Sequence, residues 1–182
     1  DVKVLKKSAA TDSRPLKNPS NLQPAFDYRD PAEYPLVSKG QKIATLTDSY
    51  GTNHTFTLKD VRESEYDPDS LDIIVGYTSE SYYYKESDVY FEFYYDNGGY
   101  LEYFGHTHFN TYGDTNVDLI SMIANYYFAD QEYIYIRLGI ENENNPDYYS
   151  AVTTFKVENP LNADASDDYV VISNESVNAW DR

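Results

Sequence analysis

No cysteine occurs in the 182 residues, which excludes disulfide staples, thiolate catalysis and every cysteine-ligated metal or iron–sulfur centre. Basic residues are scarce too: 14 Lys and Arg stand against 31 Asp and Glu, and a net charge of −17 repels phosphate backbones. Nucleic-acid binding by the body of the chain is therefore not expected. No apolar run approaches the roughly 20 residues that cross a bilayer, so no transmembrane segment is expected. No stretch has the build of a signal peptide, which fits a cytosolic protein or a mature form whose export signal is gone. A G-x-S-x-G elbow, a P-loop and a G-x-G-x-x-G turn are all missing. No catalytic residue and no cofactor is expected.

What is present is aromatic. Hydrophobic residues make up 41% of the chain and aromatics 16%, with 21 tyrosines among them, enough to fold one main domain. Charge divides the chain. Residues 1–29 hold six bases (Lys3, Lys6, Lys7, Arg14, Lys17, Arg29) and three acids (Asp1, Asp12, Asp27), a balance of +3 that leaves −20 on the remainder. Five of the eight prolines fall in the first 35 residues, without apolar periodicity. Residues 1–35 therefore read as a Pro-rich extended tether, and 36–182 as a β domain.

From Leu36 onward, short runs of alternating polarity are separated by turn residues. Ile43 to Thr47 and Phe56 to Val61 flank a hairpin turn, "DSYGTNH". "LDIIVGY" puts Leu71, Ile73, Val75 and Tyr77 on one face. "DVYFEFYYDNGGYLEYF" places Val89, Phe91, Phe93 and Tyr95 on one side and Tyr90, Glu92 and Tyr94 on the other, around an Asn97-Gly98 hairpin signal. "EYIYIRLGI" turns Ile134, Ile136, Leu138 and Ile140 inward and Tyr133, Tyr135 and Arg137 outward. In "YYSAVTTFKVE", Tyr149, Ala151, Thr153, Phe155 and Val157 share a face. "NVDLISMIANYYFAD" reads either as a strand or, through Val117, Ile120 and Ala124, as a helical turn. "YVVIS" near the end is a further strand candidate. The pattern predicts an all-β, two-sheet antiparallel β-sandwich with an extended N-terminal arm.

"YIRLGIEN", from Tyr135 to Asn142, resembles the penultimate strand of fibronectin type III domains. "HTFTLKDVRESEYDPDSLDIIVGY" with "YFEFYYDNGGYLEY" resembles the immunoglobulin-like, telokin-like domains of Gram-positive lipoproteins. The resemblance implies an immunoglobulin-like sandwich on a secreted or surface-anchored protein, and it implies no activity.

Three groups of residues are candidates for a site. Tyr90, Tyr94, Tyr100 and Tyr103 could form an outward platform for a polysaccharide or protein ligand, because tyrosine offers amphipathic area at little entropy cost; the alternative is ordinary sheet surface, where tyrosine is common. His106 and His108 share a strand face at a spacing that zinc sites use. Asp114, Asn116 and Asp118 alternate as in a calcium loop, but Leu119 takes the place of the glycine that an EF-hand needs, so a solvated acidic loop is the competing reading. The sequon at Asn53 and that at Asn174 matter only in a eukaryotic secretory route. The expected protein is a non-catalytic extracellular or cell-surface domain for binding or spacing. A carbohydrate-binding module and a metal-dependent enzyme using His106 and His108 are the alternatives.

Overall fold

The computed structural model describes residues 3–4, 8–9, 18–19, 31–80 and 87–162. Three two-residue strands, β1 (Lys3–Val4), β2 (Ser8–Ala9) and β3 (Asn18–Pro19), precede eight longer ones: β4 (Lys42–Thr47), β5 (Asn53–Glu63), β6 (Ser70–Ser79), β7 (Asp88–Asp96), β8 (Leu101–Asn110), β9 (Asn116–Ala124), β10 (Tyr133–Glu141) and β11 (Tyr148–Glu158). The long strands form an all-β sandwich of two antiparallel four-stranded sheets. Sheet A has the order β9-β6-β5-β4, and sheet B the order β11-β10-β7-β8.

The chain changes sheets between β6 and β7, between β8 and β9, and between β9 and β10. β6 and β9 are hydrogen-bonded neighbours in sheet A, as β7 and β10 are in sheet B. The short strands of the arm run parallel to the outermost strands: β1 and β2 beside β9, and β3 beside β11, where Leu36 also bridges Lys156.

Alternation sorted the central strands as the sequence predicts. Leu71, Ile73, Val75 and Tyr77 of β6 and Val89, Phe91 and Phe93 of β7 are buried between the sheets with Ile134, Ile136, Leu138 and Ile140 of β10. The ambiguous segment is a strand, β9, with Val117, Leu119, Ser121 and Ile123 turned inward, followed by a 3-10 turn over Asn125–Tyr127. Its alternating burial overrides the helical spacing of Val117, Ile120 and Ala124. A polar contact across this core joins Thr107 and Ser121 at 2.7 Å, which satisfies both buried hydroxyls.

Both expected hairpins form. Gly98 and Gly99 hold φ angles of 66° and 99° in the β7–β8 turn, a conformation that side chains resist. One expectation fails in β11. A bulge between Ile140 and Glu141 leaves Ala151 opposite Ile140 but Tyr149 opposite Glu141, so Tyr149 crosses to the outer face of sheet B while Ala151, Phe155 and Val157 stay in the core. The "YVVIS" run and the Asn174 sequon lie outside the described residues.

Candidate functional site

The outer face of sheet B carries an array of polar and aromatic side chains. Register sets it out in rows: His108, Tyr90 and Gly139 stand side by side, then His106, Glu92 and Arg137, then Tyr103, Tyr94 and Tyr135. The sequence reading placed Tyr90, Tyr94, Glu92, Tyr135 and Arg137 on this side, and they are there. Facing outward did not mean facing water. Tyr94 is 0% exposed, Glu92 1% and Arg137 3%.

Glu92 is the centre of the array. Its Oε1 accepts hydrogen bonds from the Tyr94 hydroxyl at 2.8 Å and from Arg137 Nη1 at 3.0 Å, and its Oε2 accepts one from the Tyr149 hydroxyl at 2.6 Å. One carboxylate therefore joins β7, β10 and β11. The guanidinium of Arg137 also lies 5.3 Å from the centre of the Tyr149 ring. Burial works against the charge on Arg137, but Glu92 beside it and the two tyrosines outweigh that, and its pKa is raised. Burial, and then the Glu92 charge, push the Tyr149 phenol well above its ordinary value.

Around this centre the candidate tyrosines separate. Tyr90 stacks on His108 with ring centres 4.4 Å apart and planes 18° from parallel, and its rim is partly open. Tyr103 packs edge-on against Tyr94 and bonds His106 Nδ1 at 2.9 Å. Tyr100 is 60% exposed in the β7–β8 turn. The four expected contact residues are thus not one exposed platform: Tyr94 is sealed beneath its neighbours, and Tyr100 stands at the end of the sheet.

The histidines do share a face, as their spacing predicts. His106 is held by Tyr103, and His108 Nε2 meets Asp88 at 2.7 Å. Asp114 donates its backbone N–H to Thr111 in the β8–β9 loop, Asn116 is exposed, and Asp118 pairs with Lys59 at 3.0 Å on the outer side of sheet A. Among the described residues, no three His, Asp or Glu side chains converge to hold a metal ion. The histidine pair lies on β8, while the calcium-loop candidates divide between the β8–β9 loop (Asp114) and β9 (Asn116 and Asp118).

A second polar cluster, which the sequence reading did not single out, pins the opposite sheet. His54 is 1% exposed; its Nδ1 meets the Tyr77 hydroxyl at 2.7 Å and its Nε2 meets Asp48 at 2.8 Å. Burial alone would raise the Asp48 pKa, but hydrogen bonds from His54 and from the Thr52 and Tyr50 amides prevail and lower it. The cluster fastens the β4–β5 turn to β6. Glu92 and Arg137 were legible in principle, as opposite charges in the middle of two otherwise apolar, aromatic runs. Nothing in the sequence pairs Asp48 with His54 and Tyr77.

A shallow cleft of about 290 Å³ on sheet B lies between Pro31, Asp96, Glu132, Tyr133, Tyr135 and Lys156. In it Lys156 Nζ lies 4.5 Å above the Tyr133 ring. No family model, no curated protein and no solved structure matches this chain.

Proposed function

We propose that this chain is a non-catalytic, immunoglobulin-like domain, secreted or displayed at a cell surface, whose work is binding or spacing. The observation that carries the reading is the use made of the buried Glu92–Arg137 pair. A carboxylate and a guanidinium at 1% and 3% exposure are taken up with each other and with two tyrosine hydroxyls, and they brace three strands. Side chains that could move protons are spent on stiffness, which suits a plate that presents loops or separates neighbours. The cysteine-free, tyrosine-rich composition supports an extracellular setting. Antibodies raised against the purified domain should label intact cells of the source organism or its culture medium; labelling that appears only after lysis overturns the extracellular reading.

The stacked Tyr90 and His108 pair favours a second reading, a carbohydrate-binding module, since a partly open aromatic edge on a sheet face is suited to a sugar ring. A polysaccharide pull-down with wild-type and Tyr90→Ala protein tests it. Retention of a glycan by the wild type and its loss in the variant is the expected result under this reading, and no retention of any glycan rejects it.

A further inference from the structure

At the end of the sandwich where β5 turns into β6, β7 into β8 and β9 into β10, each turn lifts one tyrosine into solvent. Tyr66 is 84% exposed, Tyr100 60% and Tyr126 85%. Lone exposed tyrosines are ordinary, but these three occupy turns that are joined to one another. The Asn125 amide bonds the Asp69 carbonyl at 2.6 Å, linking the first turn to the third, and the Asp96 amide bonds Gln131 Oε1 at 3.1 Å, linking the third to the second.

The turns are also stiff. Asp67 accepts from the Asp69 amide and the Ser70 hydroxyl, and Asp96 accepts from the Gly99 amide at 2.7 Å. Asn159, 3% exposed, donates to the carbonyls of Phe128 and Gln131, both at 2.9 Å, and so clamps the turn that carries Tyr126. Aromatic side chains on preorganised loops lose little entropy on binding, which is how a few tyrosines can make a contact surface.

Charge selects the occupant. Segments 63–70, 96–101 and 125–132 hold seven carboxylates and no Lys or Arg. A second copy of the body, at −20, is repelled. The phenol faces at this end already take a cation, since Lys156 Nζ stands over the Tyr133 ring in the adjoining cleft, whose walls include Asp96 and Glu132. We infer that the end bearing Tyr66, Tyr100 and Tyr126 is a docking surface for a basic, Lys/Arg-rich polypeptide segment. The inference rests on the binding reading above and names its partner class.

The test uses the full chain and a synthetic peptide of alternating lysine, arginine and glycine. Calorimetry at about 0.15 M salt, where the screening length is about 8 Å, suppresses diffuse attraction to a protein of this charge. The wild type should bind the peptide, and Tyr66→Ala/Tyr126→Ala protein, which keeps its net charge, should bind it at least about ten-fold more weakly, a loss of about 1.4 kcal/mol. Tyr50→Ala/Tyr112→Ala protein, altered at the other end of the sandwich, should bind like the wild type. Circular dichroism and thermal melts check that both variants fold. Equal affinity in all three proteins, equal loss in both variants, or no binding by the wild type overturns the inference. Capture of a neutral glycan through Tyr66 and Tyr126 in preference to the peptide also overturns it, while leaving the binding role intact. Labelling of cells only after lysis is a separate failure, which strikes the extracellular reading.

Discussion

The ring of Tyr149 lies flat against Gly139, so close that a Cβ on the glycine would stand 2.5 Å from its Cδ1 and 2.6 Å from its Cγ. The absence of a side chain at 139 is what lets Tyr149 reach inward over β10 and place its hydroxyl on Glu92. Gly139→Ala should therefore push a fully buried ring off its seat and cost about 1–3 kcal/mol, as overpacking does. Urea denaturation measures it. A variant as stable as the wild type would mean that the ring moves aside freely and that its bond to Glu92 contributes little.

The ion pair beneath that ring makes a second prediction. Arg137→Met leaves Glu92 with two phenol donors but no counter-charge in a buried place, and should cost about 3–5 kcal/mol. Changing both partners, Glu92→Met with Arg137→Met, removes the uncompensated charge. The double variant should be more stable than Arg137→Met alone, a non-additivity that a double-mutant cycle reads directly.

How far these groups were legible depends on what alternation can say. Period-two patterning tells which side of a strand a residue takes, and it placed Phe91, Phe93, Ile136 and Leu138 in the core and Tyr90, Tyr94 and Arg137 outside. It cannot tell whether the outer side is wet. Tyr94 is sealed because Tyr103 and Tyr135 flank it, and those neighbours come from β8 and β10 at a register that only pairing fixes. Tyr149 was assigned to the wrong face because one extra residue, a bulge, inverts everything before it in β11, and a bulge leaves no mark in polarity.

Alkaline titration should reveal a late-ionising group of tyrosines. Burial raises the pKa of Tyr77, Tyr135 and, most of all, Tyr149 above the ordinary value of 10.0. A phenol whose folded pKa lies above its unfolded one stabilises the fold at lower pH and loses that contribution as pH rises past about 10 toward the folded value. Tyr77, Tyr135 and Tyr149 should therefore ionise late, in a cooperative step that accompanies unfolding. Tyrosinate absorbance recorded alongside circular dichroism checks it. A single smooth titration with no accompanying loss of structure is the contrary result.

Acid should act through Asp48. Its folded pKa is lowered from 3.8, so its contribution is present above the unfolded value and disappears as pH falls through the folded one. Stability measured by urea midpoint should decline below about pH 4, and Asp48→Asn should be less stable near neutrality and show a shallower decline on acidification. Parallel acid profiles for the two proteins would place the sensitivity elsewhere.

The parallel lie of β1 and β2 along β9, and of β3 along β11, has a bearing on how the molecule behaves in concentrated solution. An outermost strand offers a ladder of amides and carbonyls onto which another chain can add. Here the first residues occupy part of that ladder on both sheets. Protein shortened to begin at Leu36 should keep its sandwich yet gain a tendency to stack edge to edge into fibres, and so the arm serves as a guard against self-templated growth.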